Sequence, residues 1–353
     1  VRARASARRR NLERIFHSPP ETAGFFVLEK SKVESRKSKG IEAAPMSALV
    51  RRLSPLLSHP LFARVGETPL VRLARIGDGF RLFAKLESAN PGGSVKDRAA
   101  RGIVAAAVEA GHLPGKRLLD SSSGNTAISY AMFGAALGFG VTICLPGSAS
   151  VERKRILRAY GAEVIETDPL EGSDGALLLA RKMAAEDPSR YFYADQYGNR
   201  ANPDAHETTT GPELLRQLGG APLDLFVAGL GTSGTFVGVS RHLAKASPST
   251  RRVAVQPDAA FHGLEGLKHM ATAIVPRIWE PRLAHEEVAV TTEEAHETVL
   301  RLAREEGILA GVSSGAALAA ALRVARRDGA GTVAFVVCDS GERYLSERFW
   351  GNS

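Results

Sequence analysis

Cysteine is scarce: the 353 residues hold two, Cys144 and Cys338, in the apolar runs VTICLP and AFVVCDS. This excludes a disulfide framework and leaves no Cys/His spacing fit for a structural metal, so buried strand thiols are expected. No apolar run is long enough to span a bilayer, so no membrane partner is expected. Methionine is nearly absent from the start of the chain, which opens on Val1 and reaches its first methionine at Met46. The stretch before it, residues 1–45, has no sustained periodicity and is expected to be disordered or a mis-assigned extension, the true start being MSALVRRLSPLL. An Arg-rich organelle-targeting peptide is the alternative to a cytoplasmic protein. A secretory signal is not expected, because no apolar region follows the arginines.

Charge of one sign is also missing once this extension is set aside. The formal net charge is +8, but residues 1–45 alone carry eleven Lys or Arg against five Asp or Glu. The remainder is close to neutral, which argues against a nucleic-acid partner.

What is present, from Thr68 onward, is alternation. Short apolar runs (RLFAKLE, RLLDSS, VTICLP, LDLFVAGLG, RRVAVQP, AFVVCDS) are separated by amphipathic stretches such as RAARGIVAAAVEAG, NTAISYAMFGAALG and EEAHETVLRLAREEG. Strands alternating with helices predict parallel sheets covered on both faces, in an α/β chain of two such units with a cleft between them. Ligands in such folds bind beyond the carboxyl ends of strands. Several of these ends carry small, hydroxyl-rich turns that open helices: SSSGNT, GLGTSGT and VSSG.

GLGTSGT (229–235) suits a phosphate, with glycines for close backbone approach and hydroxyls beside a helix N-terminus. It is neither a Walker loop nor a dinucleotide fingerprint, because the lysine and the glycine spacing are wrong. A structural turn is the plain alternative. SSSGNT (121–126) has more polar groups than a helix cap needs and can hold a carboxylate. Gly311–Leu322 and Asp339–Trp350 read equally well as capped helices. In NPGGSVKDRAA, Lys96 stands behind two glycines as a helical pattern begins, a mildly unfavourable place for a cation. It is either a solvated surface lysine or an amine nucleophile.

In this order the segments resemble the cysteine synthase and cystathionine β-synthase family of pyridoxal-phosphate enzymes, fold type II. NPGGSVKDR, SSGNT, DQYGNRANPDAHETTTGPE, GLGTSGT, GILAGVSSGAA and DSGERYLS carry the resemblance, which runs from about Thr68 to Trp350. It implies a tryptophan synthase β-like architecture of two three-layer parallel-sheet domains with the cofactor in the cleft. The smaller would span residues 90–199, with 46–67 packed on it, and the larger 68–89 plus 200–353. It further implies that Lys96 binds pyridoxal 5'-phosphate covalently and acts as the catalytic base. Gly231, Thr232, Ser233, Gly234 and Thr235 would cradle the phosphate, Asn125 would hold the ring hydroxyl, and Ser313 would face the ring nitrogen. Ser122, Ser123, Asn125, Thr126 and Gln196 would close on the substrate carboxylate.

The implied reaction is β-replacement through an aminoacrylate, forming L-cysteine from O-acetylserine or O-phosphoserine and sulfide. Cystathionine β-synthase and a cysteine desulfhydrase (β-elimination lyase) are the alternatives. SGERYLS favours cysteine synthase, as do the lack of cysteine in residues 1–45 for a haem and a chain end at Ser353 that leaves no regulatory module. A homodimer and a serine acetyltransferase partner are implied by the resemblance alone. Two departures stand out. GLEGLKHMATAIVP replaces a glycine-rich segment, so that Lys268 is either a selector for O-phosphoserine or a solvated helix lysine beside His269. Ala127 replaces a glycine and would narrow the carboxylate loop.

Overall fold

The computed structural model describes residues 55–77 and 79–351; the expectations for residues 1–45 and the start at Met46 lie outside them. After a short turn at Pro55–Ser58, α1 (Pro60–Ala63) leads to β1 (Leu70–Arg72) and β2 (Arg81–Leu86). Next come α2 (Lys96–Glu109), β3 (Arg117–Ser121), α3 (Asn125–Leu137), β4 (Val141–Pro146) and α4 (Val151–Ala159). They are followed by β5 (Glu163–Thr167), α5 (Gly172–Glu186) and β6 (Tyr191–Tyr193). α6 (Ala201–Ala205) continues through a π-turn (His206–Thr210) into α7 (Gly211–Gln217). β7 (Leu225–Gly229), α8 (Gly234–Ala246), β8 (Arg251–Pro257), β9 (Glu286–Val290), α9 (Thr292–Glu306), α10 (Val312–Asp328) and β10 (Thr332–Val337) complete the order.

The strands form two sheets. One runs β1-β2-β10-β7-β8-β9, parallel except for β1, and the other runs β5-β4-β3-β6, all parallel. Every residue of β4 and β10 is buried, as expected of strands covered on both faces by helices. The chain leaves the larger sheet after β2, builds the whole of the smaller one, and returns at β7.

Apolar contact holds each sheet between helices. Leu82, Val227, Val253 and Phe335 pack with α9 and α10 on one face of the larger sheet. Phe226, Ala254 and Val336 pack with α8 on the other. In the smaller unit α2 and α3 join Leu118, Ile143 and Leu145, and Leu57, Phe62 and Val65 add the residues before β1 to that core. Each fully buried Leu or Phe contributes about 1.5–3 kcal/mol. Local signals set the ends: Thr291 and Glu294 form a reciprocal capping box at the start of α9, and Gly307 closes it with φ 69°.

Several expectations are corrected. α2 does begin at Lys96, as the helical pattern there predicts, but the terminal stretch forms two 3-10 turns (Gly341–Tyr344 and Arg348–Trp350) rather than a helix. Cys144 is fully buried in β4, whereas Cys338 lies just past β10 and is half-buried. Ala127 is fully buried, and its methyl packs into the core with Ile128 and Tyr130, so it does not narrow the loop.

Beneath the start of α2 lies a buried ion cluster. Arg98 donates to both carboxylate oxygens of Glu87 (2.7 and 2.9 Å) and to both of Glu213 (2.7 Å each). Lys85 donates to Glu213 (2.8 Å), Gln217 (2.8 Å) and the Thr68 carbonyl (2.7 Å). Two cations meet two anions, with all four residues at most 5% exposed. Burial alone would raise Glu213, but Arg98 and Lys85 outweigh it and take its carboxyl down to about 2. The cluster ties α2 to the end of β2 and to α7.

Candidate active site

The turns singled out by their polar content gather where strands end. β3 runs into residues 122–124 and the start of α3; β7 runs into 230–233 and the start of α8; β10 ends beside the start of α10. Two backbone contacts bring the lysine turn to the end of β10. The Val95 amide donates to the Cys338 carbonyl at 2.8 Å, and Ser94 bridges to Asp339. Lys96, the first residue of α2, therefore enters this junction. It lines two adjoining cavities, of about 320 and 40 Å³.

The smaller cavity is walled by Asn125, Gly231 through Thr235, Ser313, Cys338 and Asp339. Backbone approach there is close. A Cβ on Gly231 would lie 2.0 Å from the Gly266 carbonyl, and one on Gly234 would lie 1.9 Å from Asn202 Oδ1. Ser233 has φ 71°, and its hydroxyl is buried without a partner at the N-terminus of the 13-residue α8. Thr232 Oγ1 accepts from Asn202 Nδ2 (3.2 Å). Thr235 Oγ1 lies 3.3 Å from Nε2 of His206, whose Nδ1 lies 2.9 Å from Thr210 Oγ1 in the π-turn. Burial, then the charge of Arg98, pushes His206 down to about 3. A glycine-lined cradle at a helix N-terminus, with an unpaired hydroxyl inside it, fits a phosphate group. Ser313, in the first turn of α10, is buried behind Gly311. Burial pushes the adjacent Cys338 thiol up to about 11.

The larger cavity takes in Ser121 through Thr126, Gln196, Tyr197, Arg153 and Lys268. One wall is a closed hydrogen-bond circuit. Thr126 Oγ1 donates to Gln196 Oε1 (2.7 Å), Gln196 Nε2 donates to the Ser121 carbonyl (2.8 Å), and Asp120 accepts from the amides of Ser121 (2.8 Å) and Gln196 (3.1 Å). Burial pushes the Asp120 carboxyl up to about 7. Ser122 Oγ accepts from the amides of Gly124 and Ala127 (3.3 Å each), capping α3, and Ser123 lies beside it on the cavity wall.

Lys268 is not a solvated helix lysine. It lies outside any helix with its side chain 12% exposed, 5.0 Å above the Tyr197 ring and 3.7 Å from Asp174. All the candidate site residues thus line one or both cavities.

The motif reading assigned no role to several other lining residues. Arg153, on α4, pairs with Glu265, sits over the Tyr344 ring at 5.3 Å, and keeps a buried Nε without a partner. Asp339 and Tyr344 come from the DSGERYLS stretch, which marked their presence but not their direction. Arg153 carried no signal beyond an amphipathic helix.

Residues 61–339 match the model of the family described as pyridoxal-phosphate dependent enzyme. The chain is 44% identical to a cysteine synthase of Aquifex aeolicus over 80% of its own length and 89% of the relative's. It is 41% identical to cysteine synthase B of Escherichia coli over 81% and 94% respectively. Among solved structures, O-ureido-L-serine synthase superposes with a TM-score of 0.78 at 38% identity, covering 83% of this chain and 95% of that one. Its lysine turn, glycine cradle and hydroxyl-rich helix start thus stand on the frame these enzymes share, and the chain belongs to the cysteine synthase family of pyridoxal-phosphate-dependent enzymes.

Proposed function

We propose that this enzyme exchanges the β-substituent of an O-activated L-serine for sulfide and releases L-cysteine. The observation that carries the reading is the convergence of Lys96, the partnerless Ser233 hydroxyl in its glycine cradle, and the start of α3 on one pair of cavities. Lys96 Nζ would hold the cofactor, Gly231 through Thr235 its phosphate, Asn125 its ring hydroxyl and Ser313 its ring nitrogen. Bound there, pyridoxal phosphate supplies the electron sink that makes the α-proton and the β-substituent able to leave. Lys96 Nζ, freed once substrate has bound, takes the α-proton. Ser122, Ser123, Asn125, Thr126 and Gln196 hold the substrate carboxylate at the N-terminus of α3, where amides and dipole favour an anion. The unit of residues 90–199 and that of 68–89 plus 200–353 would be the two domains that close on it. A homodimer and docking of a serine acetyltransferase tail belong to the same reading, on the family resemblance.

The test is turnover. Holoenzyme is mixed with O-acetylserine, O-phosphoserine or serine, each with sulfide, and cysteine is quantified against a Lys96→Ala control. Cysteine from either ester, absent in the control, supports the reading. Pyruvate in its place moves the enzyme to the lyases, and neither product overturns the reading.

Lys268 gives the finer proposal, a preference for O-phosphoserine. A half-buried ammonium beside a ring face, with Asp174 too distant to hydrogen-bond, has donors to give a phosphate. Lys268→Ala should lower kcat/KM for O-phosphoserine by about 10–100-fold, the worth of a charge-assisted hydrogen bond, and leave O-acetylserine nearly unchanged. Equal loss on both esters would sink it.

A further inference from the structure

Asn125 lines both cavities, and its amide is held from two sides by residues outside the motif that contains it. Its Nδ2 donates to Asp339 Oδ2 at 2.6 Å, and its Oδ1 accepts from Arg343 Nη1. Arg343 also donates through Nη2 to the Gly92 carbonyl in the lysine turn. Asp339 Oδ2 accepts a second bond from the Tyr344 hydroxyl at 2.6 Å. Asp339 is 1% exposed, lines the smaller cavity, and keeps Oδ1 buried without a partner.

An amide between a carboxylate and a guanidinium has one favourable orientation. Rotated by a half-turn, it would set its oxygen against Asp339 and its NH2 against Arg343, trading two charge-assisted bonds for two repulsions. With Oδ1 and one Nδ2 hydrogen engaged, the other Nδ2 hydrogen is the donor left to point into the cavity. The guanidinium reaches Gly92 and Asn125 together because its donors form a planar fork, which an ammonium lacks. The turn that delivers Lys96 and the amide at the start of α3 are thereby fixed to one another by the C-terminal segment.

We propose that Asp339 and Arg343 are positioning residues that lock the direction of the Asn125 amide, and through it the hydrogen bond given to the ring oxygen of the cofactor. The proposal rests on the cofactor placement under Proposed function. It assigns a role to the DSGERYLS stretch, which is neither a helix nor simply an end to the chain.

The test uses the full chain stripped of cofactor and titrated with pyridoxal phosphate, together with the pH midpoint of the holoenzyme's visible absorption band. Asn125→Ala should weaken cofactor binding roughly tenfold and move the midpoint. Arg343→Ala and Asp339→Asn should each move it in the same direction. In the Asn125→Ala background either change should add little, because residues acting through one group are not additive. Arg343→Lys should fall between wild type and Arg343→Ala. Shifts that add in the double variants, or single variants with the wild-type midpoint, overturn the proposal. Should Arg343→Ala fail to fold, Asp339→Asn and Arg343→Lys carry the same comparison. A wild-type chain that takes up no pyridoxal phosphate would instead count against the functional reading itself.

Discussion

On one side of Lys96 lies the buried cluster of Lys85, Glu87, Arg98 and Glu213; on the other lie the cavities it lines. Both are polar interiors, and they are built on opposite principles. In the cluster, Arg98 and Lys85 spend their donors on two carboxylates, two threonine hydroxyls, a glutamine and a backbone carbonyl. Around the cavities, Ser233 Oγ, Asn202 Oδ1, Asp339 Oδ1 and Arg153 Nε are buried without partners. A charge satisfied by its own chain holds the frame rigid, whereas a polar group left unsatisfied costs free energy until something else pairs with it. The single residue between Lys96 and Arg98, Asp97, marks the border between structure and chemistry.

Substitutions on the two sides should therefore fail differently. Lys96→Ala is expected to remove all measurable cysteine formation while leaving the urea unfolding midpoint close to wild type; a large drop in that midpoint would make Lys96 part of the frame. Arg98→Ala should do the reverse, costing about 3–5 kcal/mol of stability by taking from buried Glu87 its only cation among the described residues and leaving Glu213 to Lys85 alone, read from the same urea titration. Arg98→Lys should recover only part of that loss, since an ammonium cannot grip both carboxylates as a fork does.

Ser233→Ala separates the regions more finely. Unfolding of the cofactor-free chain should change by no more than about 0.5 kcal/mol, because the lost hydroxyl had no partner, while pyridoxal-phosphate affinity falls about tenfold. Loss of stability without loss of affinity would place Ser233 with the cluster instead.

The last comparison is a pH dependence. His206, buried between Thr210 and the cradle's Thr235, has its pKa depressed to about 3. Between pH 6.5 and 3 the unfolded chain binds a proton that the folded chain refuses. His206 thus contributes stability at neutral pH that is lost as pH falls through this window, with a slope of at most about 1.4 kcal/mol per pH unit. Asp120 works in the opposite sense: with its pKa raised to about 7, it makes the fold less stable as pH rises from about 4 to 7. His206→Asn should flatten the acid limb of a stability-against-pH curve, and an unchanged slope would remove His206 from the account.

The buried strands were legible because an interior parallel strand is apolar on both faces, as in VTICLP and AFVV. The cradle and the hydroxyl turn were legible because each gathers its polar groups within a few consecutive residues. What escaped lacked that locality. β6 has three residues, β9 alternates buried and exposed positions amid charged neighbours, and α5 starts on a glycine. The run from Asp195 to Glu213 was recognisable as a motif, but not as carrying a helix that is widened by a π-turn and runs on to Gln217. Arg153, Asp339 and Arg343 gain their meaning from partners 112, 214 and 218 residues away, and no window of sequence contains such a pair.

The strand order has a consequence for synthesis. β10, the last of the ten strands among the described residues, lies inside the larger sheet between β2 and β7. While the chain emerges from the ribosome, the four-stranded unit can close as soon as residue 193 is free, but β2 and β7 present unpaired edges until residue 337 arrives. The segment that completes the sheet also brings Asp339 and Arg343 to Asn125. A nascent or truncated chain that stops short of β10 therefore offers sticky edges and no finished site, and the segment from Thr332 to Arg343 turns a folding intermediate into an enzyme.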